Sequence, residues 1–155
     1  MALERFDSAK SAHQPVQSNR RVLYVEDDDT NWDVAVLGLG KSYLLERALT
    51  AKEAFERVKG RDYDAILMDI ELAGSEYNGI EITQLLRGLK PGAKASPAGL
   101  PRYQGPIVFV TAYNARYSKE DLVAAGGDEL IPKPVEFARL ALTLSRLLVQ
   151  RILKK

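Results

Sequence analysis

The sequence contains no cysteine and one histidine, and both shortages restrict its chemistry. Without cysteine the chain cannot form disulfide bonds, use a thiolate nucleophile or bind a metal through sulfur. His13 has no second histidine or cysteine with which it could share a metal ion. Cysteine hydrolase chemistry and histidine–cysteine metal sites are therefore excluded, and the composition suits a reducing compartment.

The sequence also lacks a large excess of positive or negative charge and has no long apolar run. The 155 residues carry a formal net charge of +1, so the basic excess that is typical of nucleic-acid binders is missing. The longest apolar stretch, residues 34–39, is far shorter than the roughly 20 residues of a membrane-spanning helix, and no secretory signal precedes it. The length corresponds to one domain. We therefore expect a cytoplasmic protein that has neither nucleic acid nor membrane as a partner.

The chain divides into a short tail and one long, regularly alternating region. Residues 1–20 mix serine, glutamine, alanine and charged side chains without any period, which predicts a flexible tail. From residue 21 to residue 155, short runs of β-forming apolar residues alternate with segments of helical periodicity. The predicted strands are residues 22–25, 43–49, 64–69, 107–110 and 129–131.

Helices are predicted between these strands from apolar residues three and four positions apart. The first predicted helix covers residues 30–39, and the second opens with the cap pair Thr50 and Glu53. The third carries the stripe Ile82, Leu85, Leu86 and Leu89. The fourth covers residues 118–125, and the last begins at Phe137. A stretch rich in proline and glycine, residues 90–105, is predicted to be a long loop.

This alternation predicts an α/β fold in which helices cover both faces of a parallel sheet. Five strand–helix repeats fit the flavodoxin-like, doubly wound arrangement with strand order 2-1-3-4-5. In that arrangement ligands bind at the carboxyl ends of the strands, near the switch between the first and third strands. The residues that follow the strands are therefore the candidates for chemistry.

Polar side chains of different kinds follow four of the five predicted strands. They are Glu26, Asp27 and Asp28 after the first strand, Asp69 after the third, Thr111 after the fourth and Lys133 after the fifth. Carboxylates from two strands can hold Mg²⁺, and a carboxylate nucleophile can form an acyl phosphate. A lysine ammonium and a hydroxyl can hold phosphoryl oxygens. The set predicts magnesium-dependent phosphoryl chemistry at one edge of the sheet.

Four segments, in chain order, resemble the response-regulator receiver domain of two-component systems. They are VLYVEDDDTN (residues 22–31), DAILMDIEL (64–72), PIVFVTAY (106–113) and LIPKP (130–134). The resemblance extends from about residue 21 to residue 155. It implies a domain that receives a phosphoryl group from a histidine kinase or a histidine phosphotransfer protein. It also implies Mg²⁺ as the cofactor, for which Mn²⁺ can substitute.

The resemblance implies a role for each acidic residue of the site. Asp69 would be the phosphoacceptor and would also bind the metal. Asp27 would contact the metal directly, while Glu26 would act through a water molecule. The backbone carbonyl of Glu71 would be a further metal ligand. These four residues form the metal site that the resemblance implies.

Two further residues would contact the phosphoryl group itself. By the resemblance, Thr111 would form a hydrogen bond with a phosphoryl oxygen, and Lys133 would pair with the phosphorylated carboxylate. The bond between Lys133 and Pro134 would be cis. Leu130 stands where the family usually has an aromatic residue that swings inward when the threonine engages phosphate, and Tyr113 is the nearest substitute.

The predicted loops also depart from the usual receiver pattern. Ala73 stands where the family usually has a proline after the acceptor, and residues 74–78 make that loop longer than usual. Residues 90–105 form a second long loop. These departures leave the phosphoryl chemistry intact but predict an unusual output face.

Three functions are compatible with the sequence, and a stand-alone phosphorylation switch is favoured. The residues after Lys133 suffice for one helix, so we expect output by contact with another protein. A phosphorylation-independent scaffold is an alternative, because Leu130 weakens the usual switch. A small magnesium-dependent aspartyl phosphohydrolase is a third, although it would normally need a second aspartate where Glu71 stands. The favoured reading is not an enzyme beyond slow self-dephosphorylation.

The last helix carries two apolar stripes. The core stripe consists of Phe137, Leu140, Ala141, Leu144 and Leu148, at helical spacing. At 100° per residue, a second group lies well away from it: Leu142, Val149 and Leu153, with Ala138 beside them. A helix packed on one face of a sheet needs only one stripe. We therefore predict a partner or homodimer contact through the second stripe, with Arg139 and Arg146 at its rim.

Overall fold

The computed structural model describes residues 19–89, 92, 96–112 and 116–154. The predicted tail, apart from residues 19 and 20, lies outside this part of the chain, and so do His13 and Tyr113. Of the predicted long loop, residues 92 and 96–105 are described. Within these ranges no helix is both long enough and apolar enough to cross a membrane.

Five strands alternate with five helices along the described residues. The strands are β1 (Arg21–Val25), β2 (Leu44–Ala48), β3 (Ala65–Met68), β4 (Ile107–Ala112) and β5 (Glu129–Lys133). The helices are α1 (Asp29–Leu39), α2 (Ala51–Gly60), α3 (Gly79–Leu86), α4 (Lys119–Ala124) and α5 (Phe137–Leu153). Each element lies where the sequence predicts it, with ends shifted by a few residues.

The strands form one parallel sheet with the order β2-β1-β3-β4-β5. In this register Val25 at the end of β1 lies beside Met68 at the end of β3. Thr111 of β4 lies beside Pro132 of β5. The predicted flavodoxin-like order is confirmed, and the carboxyl ends of all five strands lie along one edge.

The central strand separates two apolar layers. Ile66 and Met68 of β3 belong to a buried cluster with side chains of α2, α3 and α4. Ala65 and Leu67 alternate with them and belong to a second cluster with side chains of α1 and α5. All four are fully buried, and each large apolar side chain so buried stabilises the fold by about 1.5–3 kcal/mol. Helices therefore cover both faces of the sheet, as predicted.

Side-chain caps define where several helices begin. Thr50 accepts a hydrogen bond from the backbone N–H of Glu53 at 3.3 Å and opens α2. Ser118 and Asp121 form a reciprocal capping box at the start of α4. Both pairs were predicted from their spacing. A second capping box, between Asn78 and Glu81, starts α3 and was not predicted.

The prediction that Leu89 belongs to the buried stripe of α3 is wrong. The helix ends at Leu86, and Gly88 follows with a φ of +81°, a left-handed conformation that favours glycine and ends helices. The chain turns away at this point, and the side chain of Leu89 is 46% exposed. The following loop returns to the core through Tyr103, which is buried and packs against the α3 layer.

The α5 helix packs on the sheet mainly through its predicted stripe. Leu140, Leu144 and Leu148 are buried, while Phe137 and Ala141 are half-buried and pack against the same cluster. Thr143 and Leu147 are also buried, which the predicted stripe did not include. The contact surface is therefore wider than the sequence pattern indicated.

Glu46 on β2 gathers several positive side chains near the amino-terminal edge of the sheet. Its carboxylate pairs with Arg21 at 2.8 Å, Arg61 at 2.5 Å and Arg57 at 3.7 Å. The Tyr63 hydroxyl donates a further hydrogen bond to it at 2.7 Å. Burial acts to raise the pKa of Glu46, but the hydrogen bonds from Tyr63 and Arg61 and the arginine charges outweigh burial and lower it.

We expect Glu46→Gln to destabilise the fold in a pH-dependent manner. A carboxyl with a lowered pKa contributes stability that is present above its unfolded-state pKa and is lost as pH falls through the lowered value. The variant should lose about 2 kcal/mol of unfolding free energy at pH 7, and the loss should shrink below about pH 4. Denaturant unfolding at pH 7 and pH 3 measures both. The exposed Glu56 on α2 provides the control: a loss in Glu56→Gln equal to that in Glu46→Gln would contradict the assignment.

Candidate functional site

Three carboxylates meet at the carboxyl edge of the sheet. One oxygen each from Glu26, Asp27 and Asp69 lies within 4.8 Å of the others. The parallel register brings them together, because the backbone N–H of Asp69 donates to the carbonyl of Val25 at 3.0 Å. The Glu26 side chain is fully buried, and Asp69 is 6% exposed. Three of the predicted site residues therefore form one compact acidic cluster.

Lys133 brings a positive charge into this cluster from the end of β5. Its ammonium Nζ lies 2.6 Å from Oε1 of Glu26 and 3.2 Å from Oδ2 of Asp69. Because β4 lies between β3 and β5, the long lysine side chain has to reach towards the middle of the sheet edge. The Lys133–Pro134 peptide bond is cis, as the sequence resemblance implies.

The buried charges change one another's proton affinity. The pKa of Asp69 is raised to about 7: burial is the largest cause, the hydrogen bond and negative charge of Glu26 add to it, and Lys133 opposes them. For Glu26, burial acts to raise the pKa, but the hydrogen bond and charge of Lys133 outweigh it and lower the pKa. The pKa of Lys133 is raised, because its contacts with Glu26 and Asp69 outweigh burial. The ion pair formed by Glu26 and Lys133 thus leaves Asp69 without a full counter-charge.

Several hydrogen bonds that the sequence did not predict orient the cluster. The Tyr24 hydroxyl donates to Oε1 of Glu26 at 3.1 Å, and the backbone N–H of Ala73 donates to Asp27 at 3.0 Å. The N–H of Ile70 donates to Oδ1 of Asp69 at 2.8 Å. Tyr24 lies on β1, and Glu26 directly follows the strand two residues later, so that both side chains point to the same face of the sheet. That spacing is the signal by which Tyr24 could have been found.

The first residue of α3 lies directly against the acceptor candidate. The N–H of Gly79 donates to the carbonyl of Ile70 at 2.7 Å. A Cβ at Gly79 would overlap the carbonyl oxygen of Asp69. A glycine at this position therefore allows α3 to approach the backbone of Asp69, which helps to fix where that carboxylate lies.

The remaining predicted residues occupy the same edge without joining the cluster of carboxylates. Thr111 is half-buried near the end of β4. The Glu71 side chain is exposed, and its carboxylate lies 3.4 Å from Arg116. Asp28 caps α1 by accepting a hydrogen bond from the N–H of Asn31 at 2.8 Å. The predicted roles of Thr111 and of the Glu71 carbonyl stay predictions.

The loop after Asp69 is held against α2. The N–H of Ala51 donates to Oγ of Ser75 at 3.0 Å, and this hydroxyl donates to the carbonyl of Tyr77 at 2.6 Å. The Tyr77 ring packs edge-to-face on Phe55, with 5.9 Å between the ring centroids. The longer loop is therefore held by specific contacts on the side of the sheet that α2 covers.

Comparison with known families agrees with this geometry. Residues 22–145 match the family described as the response regulator receiver domain. The match covers most of the chain, and the protein therefore belongs to the response regulator receiver domain family of two-component signalling. Its acidic cluster is a candidate Mg²⁺ site.

Individual relatives have modest sequence identity and similar folds. A probable histidine kinase 1 from Oryza sativa subsp. indica is 29% identical over 153 residues, which cover 84% of this chain but 16% of the kinase. A CheY-like receiver domain protein from Methanospirillum hungatei is 25% identical with a TM-score of 0.72, covering 89% of this chain and all of that one. The receiver domain of the sensor histidine kinase PA1611 from Pseudomonas aeruginosa is 26% identical with a TM-score of 0.67, covering 84% of this chain and 98% of its own. That structure has a magnesium ion coordinated in its active-site cleft.

Proposed function

We propose that this protein is a phosphorylation switch that accepts a phosphoryl group on Asp69 from a histidine kinase or a histidine phosphotransfer protein. The observation that carries the proposal is that a buried aspartate lies beside both an acidic pair and a lysine ammonium. Asp69 is held at the end of a fully buried strand, so the nucleophile has a fixed position. Positioning and charge neutralisation are the main needs of phosphoryl transfer.

In the proposed reaction, a carboxylate oxygen of Asp69 forms a bond to phosphorus while the bond from phosphorus to the donor's histidine nitrogen breaks. The product is an aspartyl phosphate, and the imidazole leaves as the donor's unphosphorylated side chain. Lys133 lies within 3.2 Å of Asp69 and would neutralise charge that the phosphoryl group brings. Thr111 would donate a hydrogen bond to a phosphoryl oxygen.

The donor set fits a hard divalent cation. Glu26, Asp27 and Asp69 offer only carboxylate oxygens, which Mg²⁺ and Mn²⁺ prefer, and no softer ligand belongs to the described cluster. Asp27 and Asp69 would bind the ion, with Glu26 acting through water and the Glu71 carbonyl as a further ligand. When bound, the ion would supply positive charge to the phosphoryl oxygens.

Acetyl phosphate separates the proposed switch from its two alternatives. With Mg²⁺, a switch should accumulate an adduct of one phosphate per chain, detected by intact mass spectrometry, and excess chelator should prevent it. A phosphohydrolase would instead release phosphate over many turnovers. A phosphorylation-independent scaffold would form no adduct. Either of the last two results would contradict the proposal.

We further propose that output occurs through an apolar surface of α5, either to a downstream protein or to a second copy of the chain. This α5 surface consists of Leu142, Val149 and Leu153, which are 73%, 51% and 79% exposed. The neighbouring Ile152 is also exposed. Arg146 at its rim already pairs with Glu129 of β5 at 3.4 Å. Exposed apolar side chains on one helix face supply the area that a protein contact can bury.

The double variant Leu142→Glu, Val149→Glu should weaken association by about tenfold or more, because it removes apolar burial and adds charge. Labelling of Asp69 should not change. Analytical ultracentrifugation of the phosphorylated protein measures self-association, and affinity capture measures binding of a partner. Val123→Glu, at an exposed position of α4, is the matched control. An unchanged oligomeric state together with unchanged partner capture would exclude this surface.

A further inference from the structure

A cavity lies at the opposite end of the molecule from the acidic cluster. It has a volume of about 510 Å³ and is bounded by the segments that precede β1, β3 and β4 and by the end of α5. An adjoining cavity of about 450 Å³ shares Gln104 and Arg151 with it. Volumes of this size accommodate small-molecule ligands.

Arginine dominates the charge of this cavity. Four arginines line it, Arg20, Arg61, Arg102 and Arg151, together with two aspartates, Asp62 and Asp64. Asp64 is already engaged, since its Oδ2 accepts the backbone N–H of Arg21 at 2.8 Å. Arg61 shares the single carboxylate of Glu46 with two other arginines. The rim therefore carries an excess of positive charge.

Two of these arginines have guanidinium N–H groups that are available to bind a ligand. Within the described ranges, neither Arg102 nor Arg151 has a carboxylate oxygen at ion-pair distance. Arg151 donates from Nη1 to the backbone carbonyl of Asp64 at 3.2 Å, and the Arg102 guanidinium lies over Gly88. A guanidinium has five N–H donors, so most of them remain for a ligand.

Arg151 also lies in a region of wider positive charge. Arg87 and Arg151 both line the adjoining cavity. Burial lowers the pKa of Arg87, and the positive charge of Arg151 lowers it further, although Asp128 opposes both. An anion bound to Arg151 would offset this positive charge. The buried apolar walls formed by Val58 and Leu148 strengthen such an interaction, because they lower the local dielectric.

We propose that this cavity binds a small phosphate-bearing molecule, with Arg102 and Arg151 as its principal ligands. The planar guanidinium fork matches two oxygens of a phosphate at once, and a cavity lined by two such groups suits a diphosphate. The site is separate from Asp69, because it lies at the amino-terminal edge of the sheet and Asp69 lies at the carboxyl edge. It therefore goes beyond the phosphorylation switch and does not depend on it.

Titration with pyrophosphate in magnesium-free buffer tests the proposal. Isothermal titration calorimetry should show one site per chain, and amide shifts in NMR spectra should be largest at residues 102–104 and at the end of α5. Arg102→Gln and Arg151→Gln should each weaken binding by about tenfold, the effect of losing a hydrogen bond to a charged group. Arg139→Gln, on the exposed face of α5, should bind as the wild type does. Asp69→Asn should also leave binding unchanged.

Three results would overturn the proposal. One is the absence of binding at 10 mM pyrophosphate in the folded wild-type protein. The second is binding that Asp69→Asn abolishes, which would assign the anion to the carboxyl edge. The third is binding that Arg102→Gln does not weaken. Arg102 is an exposed loop residue, so Arg102→Gln should not disturb the fold. This variant therefore tests the proposal even if Arg151→Gln alters the fold.

Discussion

Asp69→Asn should reduce phosphate incorporation from about one phosphate per chain to background. The amide nitrogen and oxygen of asparagine cannot act as the anionic nucleophile that forms an acyl phosphate. Asn is nearly isosteric with Asp, so the buried end of β3 should keep its packing. Burial raises the pKa of Asp69 to about 7, which means that the ionised carboxylate is costly to the metal-free fold. Its neutral replacement should therefore leave the protein folded and at least as stable at pH 8.

Acetyl phosphate labelling, followed by intact mass spectrometry, measures this effect, and circular dichroism checks the fold. Asp33→Asn on the exposed surface of α1 is the matched control and should label as the wild type does. Labelling of Asp69→Asn at normal stoichiometry would show that another residue accepts the phosphoryl group. Loss of labelling in the control would show that the assay responds to charge rather than to the acceptor.

Arg87→Ala should cost about 3–4 kcal/mol of unfolding free energy, because one side chain joins three separate segments. From the end of α3 its guanidinium donates to the carbonyls of Gly126 at 2.9 Å and of Tyr103 and Gly105 at 2.8 Å. It also pairs with Asp128 at 3.0 Å. Removing it leaves partly buried acceptors without donors, and such acceptors are costly. Urea unfolding of the variant and the wild type measures the difference.

Two comparisons make the Arg87 result specific. Arg87→Lys should recover part of the loss, because an ammonium cannot serve four acceptors in one plane as a guanidinium does. Arg57→Ala removes an arginine that is 47% exposed and has one long ion pair, and it should change stability by about 0.5 kcal/mol. A loss below 1 kcal/mol in Arg87→Ala would mean that the network is not a stabilising junction.

The sequence was sufficient for the architecture because the fold follows from local patterns. The run of apolar residues before Asp69 has the length and composition of a buried strand, and the Ser118–Asp121 spacing marked the start of α4. Leu89 was assigned wrongly because its spacing continues the helical stripe. The left-handed turn at Gly88 overrides that spacing. Periodicity does not report where backbone conformation ends a helix.

The candidate site was predictable at the level of residues but not of their pairing. Strand order placed Glu26, Asp69 and Lys133 at one edge. That Lys133 lies closer to Glu26 than to Asp69 depends on side-chain reach and burial, which spacing does not contain. The Arg87 network had no sequence signal, because three of its acceptors are backbone carbonyls that any residue carries.

The location of the acyl phosphate is the most direct test of the account. The protein would be phosphorylated with acetyl phosphate and Mg²⁺ and then treated with borohydride, which reduces an aspartyl phosphate to homoserine. Peptide mass spectrometry then identifies the reduced position. The account predicts homoserine at position 69, within the segment DAILMDIEL, and nowhere else. Reduction at Asp27 or at another carboxylate would contradict the account. So would a phosphate that resists borohydride, as a phosphate ester on Thr111 does.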